Sequence, residues 1–236
     1  METVGTLNIN NHNIAYVFND AGSKNLVIFC HGFRGTSIGP SRTFVRATRK
    51  LSKIGISSLR FDQYGCGNSD GDFKDSSFND WIDTTSEIVK EYQAKGYRVA
   101  LFGQSMGGST VLIAGSQNKK VVSIVAWVPA AQVVNFTPPK SGFMEEAGQV
   151  VQSDFWKESH DANIIHYLRE IDSPLYIVQC SDDEYITKED HKAIIENVKQ
   201  NHKIEMYEGY KHSTWTYDQA NEIIDKSIEF IKKSFK

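Results

Sequence analysis

The chain of 236 residues has only three cysteines, at positions 30, 66 and 180. Three scattered thiols form neither a disulfide framework nor a zinc cluster, and they fit a reducing, cytoplasmic setting. Basic residues are not in excess. Lys and Arg number 26 against 29 Asp and Glu, a net charge of −3, which argues against a general nucleic-acid binder. No run approaches 18 apolar residues, so no membrane-spanning helix is expected, and the start METVGTLNINNHN lacks the basic and apolar parts of a signal peptide. There is no low-complexity tract and no solenoid repeat. H-E-x-x-H, a Walker loop and a complete G-x-G-x-x-G are all missing, so no metal, nucleotide or other cofactor is expected.

What is present is alternation. Short apolar runs at 26–30 (LVIFC), 56–61, 98–102, 121–128, 175–180 (LYIVQC) and 203–207 read as strands. Helical patterns at 44–54, 78–92, 106–116, 188–198 and 221–234 separate them. Strand–helix alternation predicts an α/β fold with a mostly parallel central sheet and helices on both faces. The first segment differs. Leu7 and Ile9, then Ile14, Tyr16 and Phe18, alternate with polar residues around Asn10 to Asn13, which predicts an antiparallel hairpin at the sheet edge. The rhythm breaks between about 130 and 171. That stretch holds Pro138-Pro139 and several aromatics and reads as a small lid inserted into one domain spanning 1–236.

The strongest chemical signal is Gly103-Gln104-Ser105-Met106-Gly107, which leaves a predicted strand and opens a predicted helix. A serine in that context sits on a strained turn, with its hydroxyl at a helix N-terminus that favours developing negative charge. The second signal is His31-Gly32-Phe33-Arg34-Gly35, directly after LVIFC. Its loop can aim a backbone N–H at the serine, so the amides of Phe33 and Met106 are the candidate oxyanion hole. His31 reads as a loop-supporting residue rather than the base.

A nucleophilic serine needs a base, and the base needs an orienting carboxylate. The chain order Ser, acid, His places the partners in loops after later strands. LYIVQC runs into Ser181-Asp182-Asp183-Glu184, and KIEMY runs into Glu208-Gly209-Tyr210-Lys211-His212. Asp183 is the preferred acid, with Asp182 as the alternative, and His212 is the base. His12, His160, His166, His191 and His202 read as surface or packing residues. Arg34, Phe136, Phe143, Trp156 and Trp215 are candidate substrate contacts, although large aromatics usually pack in cores.

These motifs together resemble the small serine esterases of the α/β-hydrolase superfamily. The closer resemblance is to bacterial cinnamoyl and feruloyl esterases and to serine aminopeptidase-like (S33-type) hydrolases. His31-Gly32-Phe33, the run Arg60 to Gly71 (RFDQYGCGNSDG), Gly103 to Gly108, Asp183-Glu184 and Gly209 to His212 carry it, in family order across most of the chain. Departures are Cys66 and Gln104 where the family commonly has His, Gln179-Cys180 in place of His-Gly, and a shorter insert. The resemblance implies an α/β-hydrolase fold in which Asp62 is structural. It also implies a hydrolase for esters of small or aromatic acyl groups, with a small-molecule partner and no nucleic acid or membrane. A thioesterase, amidase, peptidase or acyltransferase with the same triad is the competing reading. Oligomeric state is not legible in the sequence.

Overall fold

The computed structural model describes residues 2–131, 142–146 and 148–236. Strands β1 (Glu2–Ile9) and β2 (His12–Asn19) form the expected hairpin. Asn10 and Asn11 turn the chain with φ of 51° and 65°. Two consecutive positive φ values make the turn twist with its strands, and asparagine tolerates that region better than most residues.

The main sheet continues with β3 (Asn25–Cys30), β4 (Ser57–Phe61), β5 (Arg98–Gln104), β6 (Ile124–Trp127), β9 (Leu175–Cys180) and β10 (Lys203–Tyr207). Its order is β1-β2-β4-β3-β5-β6-β9-β10. Every neighbour pair from β4 through β10 is parallel, and β1–β2 and β2–β4 are antiparallel. Helices α1 (Thr43–Lys53), α2 (Phe78–Ala94), α3 (Met106–Gln117), α6 (Lys188–Asn197) and α7 (Tyr217–Ser234) connect or follow these strands. The chain therefore has the α/β-hydrolase fold.

Period-two side-chain alternation gives each central strand two apolar faces. Leu26, Ile28 and Cys30 of β3 join Val99 and Leu101 of β5 in the core under α2 and α3. Val27 and Phe29 join Ala100 and Phe102 in the core under α1 and α7. This double burial explains why these strands read as unbroken apolar runs.

One expectation needs correction. The strand expected over 121–128 is shorter. Val121 is tied back to the Asn118 carbonyl in a turn, and Val128, at φ 41° before Pro129, redirects the chain. The insert has regular structure of its own: the hairpin β7 (Phe143–Glu146) with β8 (Gln149–Gln152), then α4 (Ser153–Asp161) and α5 (Ile164–Leu168). Phe155 of α4 is buried against Phe33, Phe73, Phe78 and Trp81. Among the described residues, no helix is long and apolar enough to cross a membrane.

Candidate active site

Strand β5 ends one residue before Ser105, which adopts φ 56° and ψ −123° and opens α3. A non-glycine residue there carries backbone strain of about 1–3 kcal/mol. The surroundings hold it: Ser105 N–H donates to the Trp127 carbonyl at 2.8 Å. The flanking glycines are steric necessities. A Cβ on Gly103 would stand 2.1 Å from the Gly107 carbonyl oxygen, and one on Gly107 would stand 2.3 Å from those of Cys30 and His31. The glycine spacing thus reflects close approach of the β3 loop to the first turn of α3.

Loops after β9 and β10 bring two more side chains to this turn. His212 Nδ1–H donates to Asp183 Oδ2 at 2.7 Å, which leaves Nε2 to accept the Ser105 hydroxyl at 2.8 Å. The other carboxylate oxygen of Asp183 accepts the N–H groups of Tyr185 and Ile186, each at 2.8 Å. Both carboxylate oxygens are therefore engaged, and the Asp183 side chain is fully buried. Asp182 is not in this line: its carboxylate accepts the Ser181 hydroxyl at 3.0 Å. Glu184 accepts the His212 backbone N–H at 3.2 Å and steadies the turn.

The histidine loop is held from behind by Trp215. Its indole N–H donates to the Lys211 carbonyl at 2.6 Å, and its ring meets Trp127 edge-on at 5.3 Å. Trp215 is thus a core residue behind His212 rather than part of the cavity wall, because the turn folds it back onto Trp127.

His31 is wholly buried. Its Nδ1–H donates to the Gly32 carbonyl at 2.8 Å, and its Nε2 accepts the Gln63 N–H at 2.9 Å. Burial pushes its pKa down, against a smaller upward pull from the Gly32 bond and Asp62. A neutral imidazole is the form these bonds require. Asp62 sits beside it, accepting from the amides of Ser37 at 2.6 Å and Asn68 at 2.9 Å, and so ties the β3 and β4 loops together. Burial raises the thiols of Cys30, Cys66 and Cys180 to about 12, so all three stay protonated at neutral pH.

A cavity of about 490 Å³ opens over Ser105. Phe33, Arg34, Met106, Trp156, Tyr185 and His212 are among the residues that line it. The Phe33 and Trp156 rings meet at 4.5 Å between centroids, with their planes tilted by 46°. Of the other proposed contacts, Phe143 is exposed on the β7–β8 hairpin away from the lining, and Phe136 falls outside the described residues. Tyr185 and Ile186 line the cavity too. Sequence reasoning passed over them, although their place directly after the acid-bearing loop was a usable signal. Among the described residues, no cluster of three or more His, Cys, Asp or Glu side chains is arranged to hold a metal ion.

Comparison with known proteins agrees with this architecture. A sequence profile described as serine aminopeptidase, S33, matches residues 21–166. The chain is 30% identical over 105 residues to an uncharacterized 31.7 kDa protein in the traX-finO intergenic region of Escherichia coli, covering 43% of this chain and 36% of that one. It is 25% identical over 179 residues to the human mitochondrial palmitoyl-protein thioesterase ABHD10, covering 68% and 57%. The matches thus span from about a third to just over half of these relatives' own length. The structure of Est1E from Butyrivibrio proteoclasticus with ferulic acid bound superposes with a TM-score of 0.86 at 21% identity, covering 98% of both chains.

Proposed function

The chain belongs to the serine aminopeptidase S33 family of α/β-hydrolases, and from that premise we propose that it is a carboxylic ester hydrolase working through Ser105, His212 and Asp183. The observation that carries the reading is the unbroken hydrogen-bonded line from the Ser105 hydroxyl through His212 to Asp183. In a serine hydrolase such a line moves one proton in each half-reaction.

Ser105 Oγ attacks the ester carbonyl as its proton passes to His212 Nε2. The carbonyl electron pair moves onto oxygen, where the Phe33 and Met106 amides receive the charge. Met106 is the first residue of α3, so its N–H has no partner within the helix and the helix dipole favours the anion. Loss of one such donor costs about 3–4 kcal/mol of transition-state stabilisation. Collapse of the adduct breaks the bond to the alcohol, which leaves with the proton from His212. Water then attacks the acyl-serine, His212 takes its proton, and the acid departs as Ser105 regains its hydrogen. Asp183 holds the imidazole in the tautomer that both halves need and stabilises its cation. Trp156 and Phe33 supply the apolar wall, and Arg34 is the cationic member of the lining.

A thioesterase is the second reading, favoured by the similarity to the human palmitoyl-protein thioesterase. One experiment separates them. Wild type and Ser105→Ala are assayed on p-nitrophenyl esters from acetate to octanoate, on methyl ferulate and on acyl thioesters of N-acetylcysteamine. An organophosphonate counts reactive serines. Ester hydrolysis and labelling that both vanish in Ser105→Ala support the ester hydrolase. Thioester cleavage by a labelled wild type that leaves every oxygen ester intact moves the assignment to thioesterase. Labelling that persists in Ser105→Ala overturns the choice of nucleophile.

A further inference from the structure

The cavity is lined by two groups of side chains with different anchors. Phe33 and Trp156 belong to an aromatic cluster that continues through Phe73 and Phe155 into the core. Tyr185 and Ile186 instead belong to the loop that carries Asp183.

Tyr185 is an unusual member of that second group. Its backbone is fixed, since its N–H donates to Asp183 Oδ1 at 2.8 Å. Its ring lies edge-on to the His212 imidazole, with centroids 5.1 Å apart and planes at 66°. Yet the residue is 73% exposed. The loop thus pins an aromatic ring beside the proton donor and leaves most of it open at the cavity, and no proton-transfer step uses it.

The chemistry says what lies there during reaction. His212 must hand its proton to the departing alcohol, so the alcohol oxygen has to sit beside Nε2 as the bond breaks. The rest of the leaving group then falls among the side chains in contact with that imidazole. Tyr185 is the large apolar one among them in the lining. We propose that Tyr185 is the specificity-determining wall of the leaving-group subsite, selecting esters of planar aromatic alcohols over those of flexible alkyl alcohols. The inference rests on the ester-hydrolase reading. Contact between aromatic rings supplies the selectivity, and burying part of an exposed ring supplies affinity.

Benzyl and butyl esters of butanoic acid make a matched pair, because they deliver the same acyl group and their alcohols are similarly weak acids. Initial rates are followed by pH-stat for wild type, Tyr185→Ala and Tyr185→Phe, with organophosphonate titration to count competent sites in each. Wild type is expected to show the higher kcat/KM on the benzyl ester. Tyr185→Ala is expected to lower kcat/KM for the benzyl ester roughly tenfold and for the butyl ester less than twofold, as expected for loss of one aromatic contact. Tyr185→Phe keeps the preference, since the ring rather than the hydroxyl does the selecting. Equal losses on both esters would mean that Tyr185 only orients His212, and would overturn the inference. So would an unchanged benzyl-to-butyl ratio in Tyr185→Ala, or a wild type with no benzyl preference. Hydrolysis of neither ester by a wild type that still labels and still cleaves p-nitrophenyl butanoate would overturn this inference alone, whereas failure on every oxygen ester would overturn the ester reading beneath it.

Discussion

His31 offers a sharp test of how the site is held. The perturbation is His31→Leu, which keeps an apolar side chain of similar bulk and removes both ring nitrogens. The Gly32 carbonyl keeps a partner, because it also accepts the Gly35 N–H at 2.9 Å. The Gln63 N–H loses its acceptor in a buried position, at a cost of about 1–3 kcal/mol. The edge-on contact with Trp81, at 5.3 Å between centroids, contributes about 0.5–1.5 kcal/mol more. Together these give about 1.5–4.5 kcal/mol, or a Tm lower by roughly 3–18 °C for a chain of this length.

The pH arm of the same test is independent of the packing argument. Burial depresses the folded pKa of His31 below the ordinary 6.5. Below pH 6.5 the unfolded chain therefore binds a proton that the folded chain refuses. Stability falls as pH falls below 6.5, by up to about 1.4 kcal/mol per pH unit from this one group, until the folded pKa is reached. The leucine variant lacks that contribution, so its stability should vary less steeply from pH 6.5 downward. His191 and His202, also depressed mainly by burial, are common to both proteins and cancel in the difference. Urea unfolding by tryptophan fluorescence at pH 7.5, 6.5 and 5.5 measures both arms. A variant within about 0.5 kcal/mol of wild type at pH 7.5, or with the same pH slope, would refute the assigned hydrogen-bonding state.

Two further outcomes follow from the packing around the serine and the histidine. Gly107→Ala drives a Cβ to 2.3 Å from two carbonyl oxygens of fixed backbone and should cost more than about 4 kcal/mol; soluble yield and Tm check it, and a variant of near-native Tm would show that the β3 loop can yield. Trp215→Phe keeps the ring against Trp127 and deletes the bond to the Lys211 carbonyl, so kcat on p-nitrophenyl butyrate should fall about three- to tenfold with KM nearly constant. A change confined to KM would place Trp215 on the substrate instead.

Much of the scaffold was legible in the sequence because strands buried on both faces and amphipathic helices write themselves as different periodicities. The positions of Ser105, Asp183 and His212 were legible for a related reason. Each follows a strand, and parallel strands deliver the loops after them to one edge of the sheet. What stayed hidden depends on side-chain direction. Trp215 and Trp156 are both aromatics near the site in sequence terms, yet one packs on Trp127 and the other lines the cavity. Only the tertiary partners decide between those fates. Val128 was hidden differently: it reads as the end of an apolar run, but its φ of 41° ahead of Pro129 ends the strand at Trp127. The β7–β8 hairpin was not legible because its strands are only four residues long and show no clear alternation.

Helix α4 anchors the insert to the body of the domain. Phe155 is 1% exposed and packs on Phe33, Phe73, Phe78 and Trp81, while the Glu158 carboxylate accepts the Asn79 N–H of α2 at 3.1 Å. Pulling α4 away would expose a phenylalanine whose burial is worth about 3–5 kcal/mol by the usual cost of its removal. Trp156, the next residue, is therefore a fixed wall of the cavity. The cavity wall at Phe33 and Trp156, proposed to face the acyl group, is then set by core packing, whereas the exposed ring of Tyr185 is free of such constraint. Changes of acyl preference should require repacking the aromatic cluster, and changes of alcohol preference should need only one surface substitution. On the proposed ester-hydrolase reading, the two halves of the ester fall to parts of the fold with different tolerance to mutation.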